Sequence, residues 1–152
     1  MLQLFNVYFT PRFLLFLLKF VLYRAFINQF SISTVTCGGE ITKNEGLLVS
    51  PNYPRFYPDQ QTCVWRITVG DGFFISVTFD YFRVCGYFLY SPHCLSDYLE
   101  FRDGLNDTSP FLSRHCGNRI PGVVNSTTNH LYVKFVSDYS VNLYGFSASF
   151  AR

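Results

Sequence analysis

From residue 37 onward the sequence never holds a helical stripe for a useful length, and it alternates instead. Phe73, Ile75, Val77 and Phe79 are set against Phe74, Ser76, Thr78 and Asp80, a two-residue period that reads as a half-buried strand. Trp65, Ile67 and Val69 alternate with Arg66 and Thr68 in the same way, and Leu131, Val133 and Phe135 with Tyr132 and Lys134. Tyr98–Arg102 gives a short strand, and Phe146, Ala148 and Phe150 share one face after Val141–Tyr144 and Gly145. Turn signals separate these runs: Gly70-Asp71-Gly72, Asp103-Gly104, Ser109-Pro110 and Pro121-Gly122. Many short strands, each with one apolar face, predict an all-β domain in which two sheets cover one another. A sandwich or jelly roll is the favoured form, with a barrel as the other closed solution.

The chain has 152 residues and 18 Phe, 11 Tyr and one Trp, enough apolar material for one real core. Its formal charge of +2 divides unevenly. Residues 1–36 hold Arg12, Lys19 and Arg24 and no acid, and the remainder is close to neutral. No basic stripe survives there, which argues against a nucleic-acid ligand. The five cysteines, Cys37, Cys63, Cys85, Cys94 and Cys116, form no Cys-x-x-Cys pair. Thioredoxin chemistry and most zinc sites are thereby disfavoured, and long-range disulfides in an oxidising compartment are favoured. Five is odd, so one thiol is left over or pairs outside the chain.

Residues 1–36 form a hydrophobic leader around Phe13–Tyr23, an apolar run broken by Lys19. It is short for a membrane span and fits a signal peptide cut near Ser33, with a signal anchor or a membrane-lying segment as alternatives. A fragment boundary is a further reading. The domain is set at 37–150, on the extracellular side: secreted, or on the outer face of a membrane.

Motifs then run in order along that domain: C37-G-G-E, G46-L-L-V-S-P-N-Y-P54, Y57-P58 and C63-V-W65-R-I67. They continue with C94-L-S-D97-Y98-L-E-F-R-D103-G104, F111-L-S-R-H-C116-G117, N129-H-L-Y-V-K-F135-V-S-D138-Y-S140 and G145-F146-S-A-S-F150. The whole segment resembles a CUB domain. The resemblance implies a jelly-roll sandwich of two mostly antiparallel sheets with disulfides Cys37–Cys63 and Cys94–Cys116. Spacing alone leaves three pairings open for four cysteines.

The resemblance also implies a calcium site at one end of the sandwich, built from a Glu, the Asp of Cys-x-x-Asp and the Asp of Ser-Asp-x-Ser. Asp97 and Asp138 match the two Asp positions, and Cys85 stands where the Glu belongs. Calcium takes hard oxygen ligands and a thiol is soft, so the site is short of a donor. Asp80 and Glu45 are acids that could stand in. Without an ion, Asp97 and Asp138 are expected to bond loop backbone, and crowding is expected to raise the pKa of one of them. Cys85 has three open fates: a free thiol, an intermolecular disulfide, or a variant pairing with Cys94 or Cys116.

Asn106-Asp107-Thr108 and Asn125-Ser126-Thr127 are N-glycosylation sequons in predicted loops. His93, His115 and His130 fall in no catalytic motif, so a binding module rather than an enzyme is expected. Tyr81, Tyr87 and Tyr90 form the candidate ligand surface, since Tyr gives large rigid contacts at low entropy cost. The function implied is recognition of an extracellular protein ligand, with calcium helping to hold a basic side chain of that ligand. Two other readings are an accessory, substrate-placing domain of a secreted zinc metalloprotease and a structural or adhesive domain that self-associates.

Overall fold

The computed structural model describes residues 36–85 and 94–152. Nine strands carry the fold: β1 Gly39–Ile41, β2 Glu45–Val49, β3 Thr62–Thr68, β4 Ser76–Arg83, β5 Tyr98–Arg102, β6 Phe111–His115, β7 Val124–Asn125, β8 His130–Val136 and β9 Gly145–Ala151. They form a five-stranded sheet, β1-β3-β8-β5-β6, and a four-stranded sheet, β2-β9-β4-β7. Every pairing is antiparallel except β1 with β3. The expected all-β jelly-roll sandwich with two disulfides is what forms.

The alternation decides which residues enter the core. Cys63, Trp65 and Ile67 of β3, Leu131, Val133 and Phe135 of β8, and Leu99 and Phe101 of β5 are buried. Leu48, Val77, Phe79, Phe146, Ala148 and Phe150 are their counterparts from the second sheet. Aromatic rings meet edge to face across the join: Trp65 with Phe146 at 6.1 Å and Phe135 with Phe146 at 5.6 Å between centroids. Each such ring buries a large apolar surface and adds about 0.5–1.5 kcal/mol through its ring contact.

Two details depart from simple alternation. Phe73 and Phe74 are exposed, and the strand starts only at Ser76. Phe73 belongs to the turn at Gly70, to whose carbonyl it donates, and the Arg152 guanidinium covers its ring at 4.3 Å. Farther on, the β4–β9 register shifts between Phe79 and Tyr81. Asp80 is the extra residue of this bulge and stays exposed, so Phe79 and Phe82, three apart, both face inward. Val141–Tyr144 forms no strand.

Cys37 joins Cys63 and Cys94 joins Cys116, with Cα separations of 5.2 and 5.6 Å. Loops of this size give about 3–4 kcal/mol each in the chain-entropy view.

Of the described glycines, Gly145 leaves the least room for a side chain, because Ser50 lies against it. Ser50 Oγ accepts from the Phe146 amide at 3.0 Å, and the Ser50 amide donates to the Phe146 carbonyl at 3.0 Å. Gly145 has φ 75°, and a Cβ there would lie 1.8 Å from Ser50 Oγ. Gly72 has φ 81° with open space around it. Gly145→Ala is therefore expected to cost about 2–4 kcal/mol, backbone strain plus overpacking, against about 1 kcal/mol for Gly72→Ala. Urea denaturation of both variants checks this, and equal losses would refute the steric account.

Candidate functional site

Four segments meet where β3, β4, β5, β8 and β9 begin or end. The centre is Asp97, a carboxylate only 1% exposed just before β5. Tyr57 Oη donates to its Oδ2 at 2.6 Å, and the Asp138 amide donates to its Oδ1 at 2.8 Å. Tyr57 is itself buried, edge-on to Phe135 at 5.2 Å, and its Oη accepts from the Cys85 amide at 3.1 Å. The Asp138 carboxylate accepts from the Ser140 amide at 2.8 Å and from Ser140 Oγ at 3.3 Å. Asn142 donates to Asp59. The Gln60 amide bonds the Asp138 carbonyl at 2.6 Å, and Ser137 Oγ bonds the Pro58 carbonyl at 2.8 Å, which knits segment 57–61 to segment 137–142.

The end is rich in acceptors. Asp59, Asp97 and Asp138 lie together, and among the described residues none of them forms an ion pair with Arg or Lys. Asn142 Oδ1 is buried without a hydrogen-bond partner among the described residues. Burial raises the Asp97 pKa, the donors Tyr57 and Asp138 oppose the rise, and the charges of Asp138 and Asp59 add to it. Burial and the hydrogen bond to Asp97 likewise push the Tyr57 hydroxyl up. Around this lies an exposed apolar rim: Leu95, Tyr139, Val141, and Phe56 stacked edge-on against Tyr144 at 4.6 Å. Val141 has φ 58°, a conformation that costs a β-branched residue strain and is found where a site is held in a set shape.

The structure thus brings Asp97 and Asp138 together with Cys85 beside them. Tyr81 lies apart, on the outer face of the four-stranded sheet, 5.9 Å from the Tyr53 ring. Tyr87 and Tyr90 lie outside the described residues, as does the leader up to residue 35. Asp80 is exposed at its bulge and Glu45 is exposed on edge strand β2. Tyr57, Asp59 and Asn142 are the site residues that sequence reasoning missed. The Tyr57-Pro58 pair was legible as a motif, but nothing local says that the hydroxyl reaches a carboxylate 40 positions later. Of the sequons, Asn106 is exposed and its Oδ1 accepts from the Thr108 amide at 3.1 Å and Oγ1 at 2.7 Å. Asn125 Oδ1 accepts from Ser76 Oγ at 2.7 Å, and Thr127 is tied to Asp103.

Calcium would need hard oxygens from several directions. Asp97 and Asp138 supply two carboxylates, but one oxygen of each already holds backbone, and Asp97's other oxygen holds Tyr57. Cys85 offers no oxygen from its side chain, and among the described residues no three acidic, His or Cys side chains converge as a metal group. Among the described residues the side chains at this end therefore supply fewer free oxygens than the ion takes.

The raised Asp97 pKa has a pH consequence. Between the ordinary Asp value and the raised folded value, the folded protein binds more protons than the unfolded chain, so stability falls as pH rises through that window. Glu100 and Asp103 act oppositely: burial works against ionisation, but the ion pairs of Glu100 with Arg114 and Arg102 and the Thr127 and Thr128 donors at Asp103 outweigh it and lower both pKa values. Their contribution is present at neutral pH and lost in acid. Comparing the protein with Asp97→Asn cancels the common groups. The stability difference, wild type minus variant, is expected to become less favourable from about pH 4 upward, where an Asp normally ionises. Urea denaturation between pH 3.5 and 7 measures it, and a flat difference would contradict the burial of an ionisable Asp97.

A family model described as CUB domain matches residues 37–150. Tolloid-like protein 2 of Mus musculus is 46% identical over 123 residues, 81% of this chain and 12% of that protein. Bone morphogenetic protein 1 of Xenopus laevis is 43% identical over 116 residues, 76% of this chain and 16% of that protein. The chain therefore spans less than a fifth of the length of these curated relatives. Among solved structures, the MASP-1 CUB2 domain bound to Ca2+ aligns with TM-score 0.64 and 27% identity, over 77% of this chain and all of that one. The extracellular region of zebrafish Gpr126/Adgrg6 aligns with TM-score 0.64 and 32% identity, over 76% of this chain and 14% of that one. Fold, disulfide frame and sequence agree, and the chain belongs to the CUB domain family.

Proposed function

We propose that this domain is a non-catalytic binding module that takes a basic side chain of an extracellular protein ligand at its acidic end, without calcium. CUB domains are extracellular, which agrees with the two disulfides. The observation that carries the reading is the acceptor surplus beside the fully bonded Asp97: the Asp59 and Asp138 carboxylates and the unpartnered Asn142 Oδ1, with no cation from the described residues. A Lys ammonium brings three donors and one positive charge, which is what such a cluster lacks. The rim of Leu95, Tyr139 and Val141 would cover the aliphatic stem, as amphipathic side chains prefer. Glycans at Asn106 and Asn125 belong to the same reading. Strand β5, Tyr98–Arg102, separates Asp97 from the Asp103–Asn106 turn, and Asn125 pairs with Ser76 at the start of β4, whose other end leads to Cys85, so both sequons fall at the far end and leave the acidic end open.

A second reading is favoured by the likeness to Tolloid-like protein 2 and bone morphogenetic protein 1. The domain would then be the substrate-placing accessory of a secreted zinc metalloprotease, with residues 1–36 as a leader. The two readings share the acidic end and differ in the parent protein. A zinc-protease domain encoded in the same transcript would decide for the second.

The test uses N-acetyl-lysine methylamide as probe, followed by NMR. Millimolar probe is expected to shift the amides of Asp97, Asp138 and Tyr139, and the norleucine analogue, which keeps the stem and lacks the charge, is not. Asp138→Asn should weaken the probe by roughly tenfold, the value of one partly desolvated charge pair. Equal shifts from both probes would refute the charge-based reading. Melting temperature in 5 mM calcium and in chelator should be the same, and a rise of several degrees with calcium would restore ion-mediated recognition.

A further inference from the structure

The outer face of the five-stranded sheet carries a band of fixed cations. Residues paired across strands share a face, and two neighbouring rows cross this sheet: Lys134, Glu100 and Arg114 in one, Glu40, Arg66, Tyr132 and Arg102 in the other. Strands β3, β8, β5 and β6 therefore each place one cation on the face: Arg66, Lys134, Arg102 and Arg114. The four lie far apart in the sequence, so no basic run shows there. The acids in the strands of this sheet are Glu40 and Glu100, so four cations stand against two carboxylates. Neighbouring strands are about 4.8 Å apart, and the band crosses about 14 Å of sheet.

The guanidinium groups are held in place. Glu100, only 3% exposed, accepts from Arg102 Nε at 2.6 Å and from Arg114 Nε at 2.9 Å and Nη2. Arg102 Nη1 also donates to the Ser109 carbonyl at 3.1 Å. Arg66 donates to the Leu105 carbonyl at 3.0 Å and to Glu40 at 3.2 Å. Arg114 lies over the Tyr98 ring at 4.1 Å and Arg66 over the Tyr132 ring at 5.9 Å. Among the described residues each of the three guanidinium groups keeps one terminal nitrogen without a hydrogen bond, and Lys134 forms no ion pair.

We propose that this face binds a linear sulfated polysaccharide laid across strands β3, β8, β5 and β6. A guanidinium edge meets the oxygens of an anion with two parallel donors, and a lysine adds a point charge. Groups already fixed by Glu100, Leu105 and Glu40 lose little freedom when an anion arrives, so their order favours binding. The chemistry of the face favours a sugar chain over an acidic peptide. Protein interfaces are centred on apolar and aromatic contacts. Here Tyr132 is buried, the Tyr98 and Tyr132 rings lie beneath arginines, and Phe111 is exposed only at the edge strand β6. A sulfated chain brings regularly spaced anions and needs no apolar centre. Its place is outside the cell, where the domain belongs. The face uses none of Asp59, Asp97 and Asp138, so it is independent of the ligand proposed for the acidic end.

The test uses the full chain secreted from cultured cells, with Thr108→Ala to remove the sequon next to Leu105, and surface plasmon resonance at about 0.1 M salt. The probes are a heparin-derived octasaccharide, the same octasaccharide stripped of sulfate, and an octaglutamate peptide. The sulfated probe is expected to bind, at least tenfold more tightly than either of the others, and to be released as salt is raised, since its contacts are ionic. Lys134→Ala and Arg114→Ala are each expected to weaken it by about three- to tenfold. Arg83→Ala, which removes the same charge from the other sheet, should leave it unchanged. Lys134 has no ion-pair partner to lose, so its variant decides if Arg114→Ala does not fold. Absence of binding by the sulfated probe overturns the proposal. Equal binding of octaglutamate overturns it in favour of an acidic peptide. Equal losses from Lys134→Ala and Arg83→Ala also overturn it, because attraction to net charge alone would then account for the binding.

Discussion

The two sheets are held at one separation by aromatic rings that pass between them, and the rest of the domain hangs on that join. Phe146 touches both Trp65 and Phe135, so one side chain of the four-stranded sheet packs on two strands of the other. Packing at interior density fixes these rings to within a fraction of an ångström. That fixes Phe146 N–H against Ser50 Oγ, and Ser50 in turn leaves no room for a Cβ at residue 145. The loop from Ser50 to Tyr57 is positioned from there. Tyr57 ends it inside the core, edge-on to Phe135, with only its hydroxyl directed at Asp97. The chemistry at the acidic end thus inherits its geometry from the apolar join.

A carboxylate that is almost wholly buried is costly unless its oxygens are bonded. Asp97 meets this requirement with one hydroxyl and one backbone amide, and they come from two loops that are also bonded to each other. Asp97 therefore works as a knot: it ties segment 57–61 and segment 138–142 to the start of β5. The same knot leaves Asp138 and Asp59 close by with their charge unspent. In the proposed function, anchoring and recognition are two uses of one electrostatic arrangement.

The sheets were legible because alternation is a local property. Trp65–Ile67, Leu131–Phe135 and Phe146–Phe150 all face the core as their patterns require. Alternation misplaced the start of β4, because Phe73 has the right hydropathy and the wrong neighbour: Arg152 covers it at the surface. The bulge at Asp80 was invisible for a related reason, since a one-residue insertion shows only when the partner strand is known. Asp97 and Asp138 could be singled out by resemblance, but their bonding could not. It depends on Tyr57, which is 40 positions from Asp97 and on no shared strand. The Ser50–Gly145 contact is similar: two motifs at opposite ends of the domain turn out to be the two halves of one steric fit.

The thiol at position 85, where the family resemblance implies a carboxylate, alters the acidic end. It removes a hard donor, so Asp97 and Asp138 are left with protein partners and with whatever cation a ligand supplies. A carboxylate at that place would offer calcium a hard oxygen. A thiol is soft and does not replace it as a calcium ligand. The backbone role of residue 85 is unaffected by this choice, because the bond to Tyr57 is made by the amide and not by the side chain. The fold therefore accepts a thiol at this place, and the consequence falls on the charge of the acidic end.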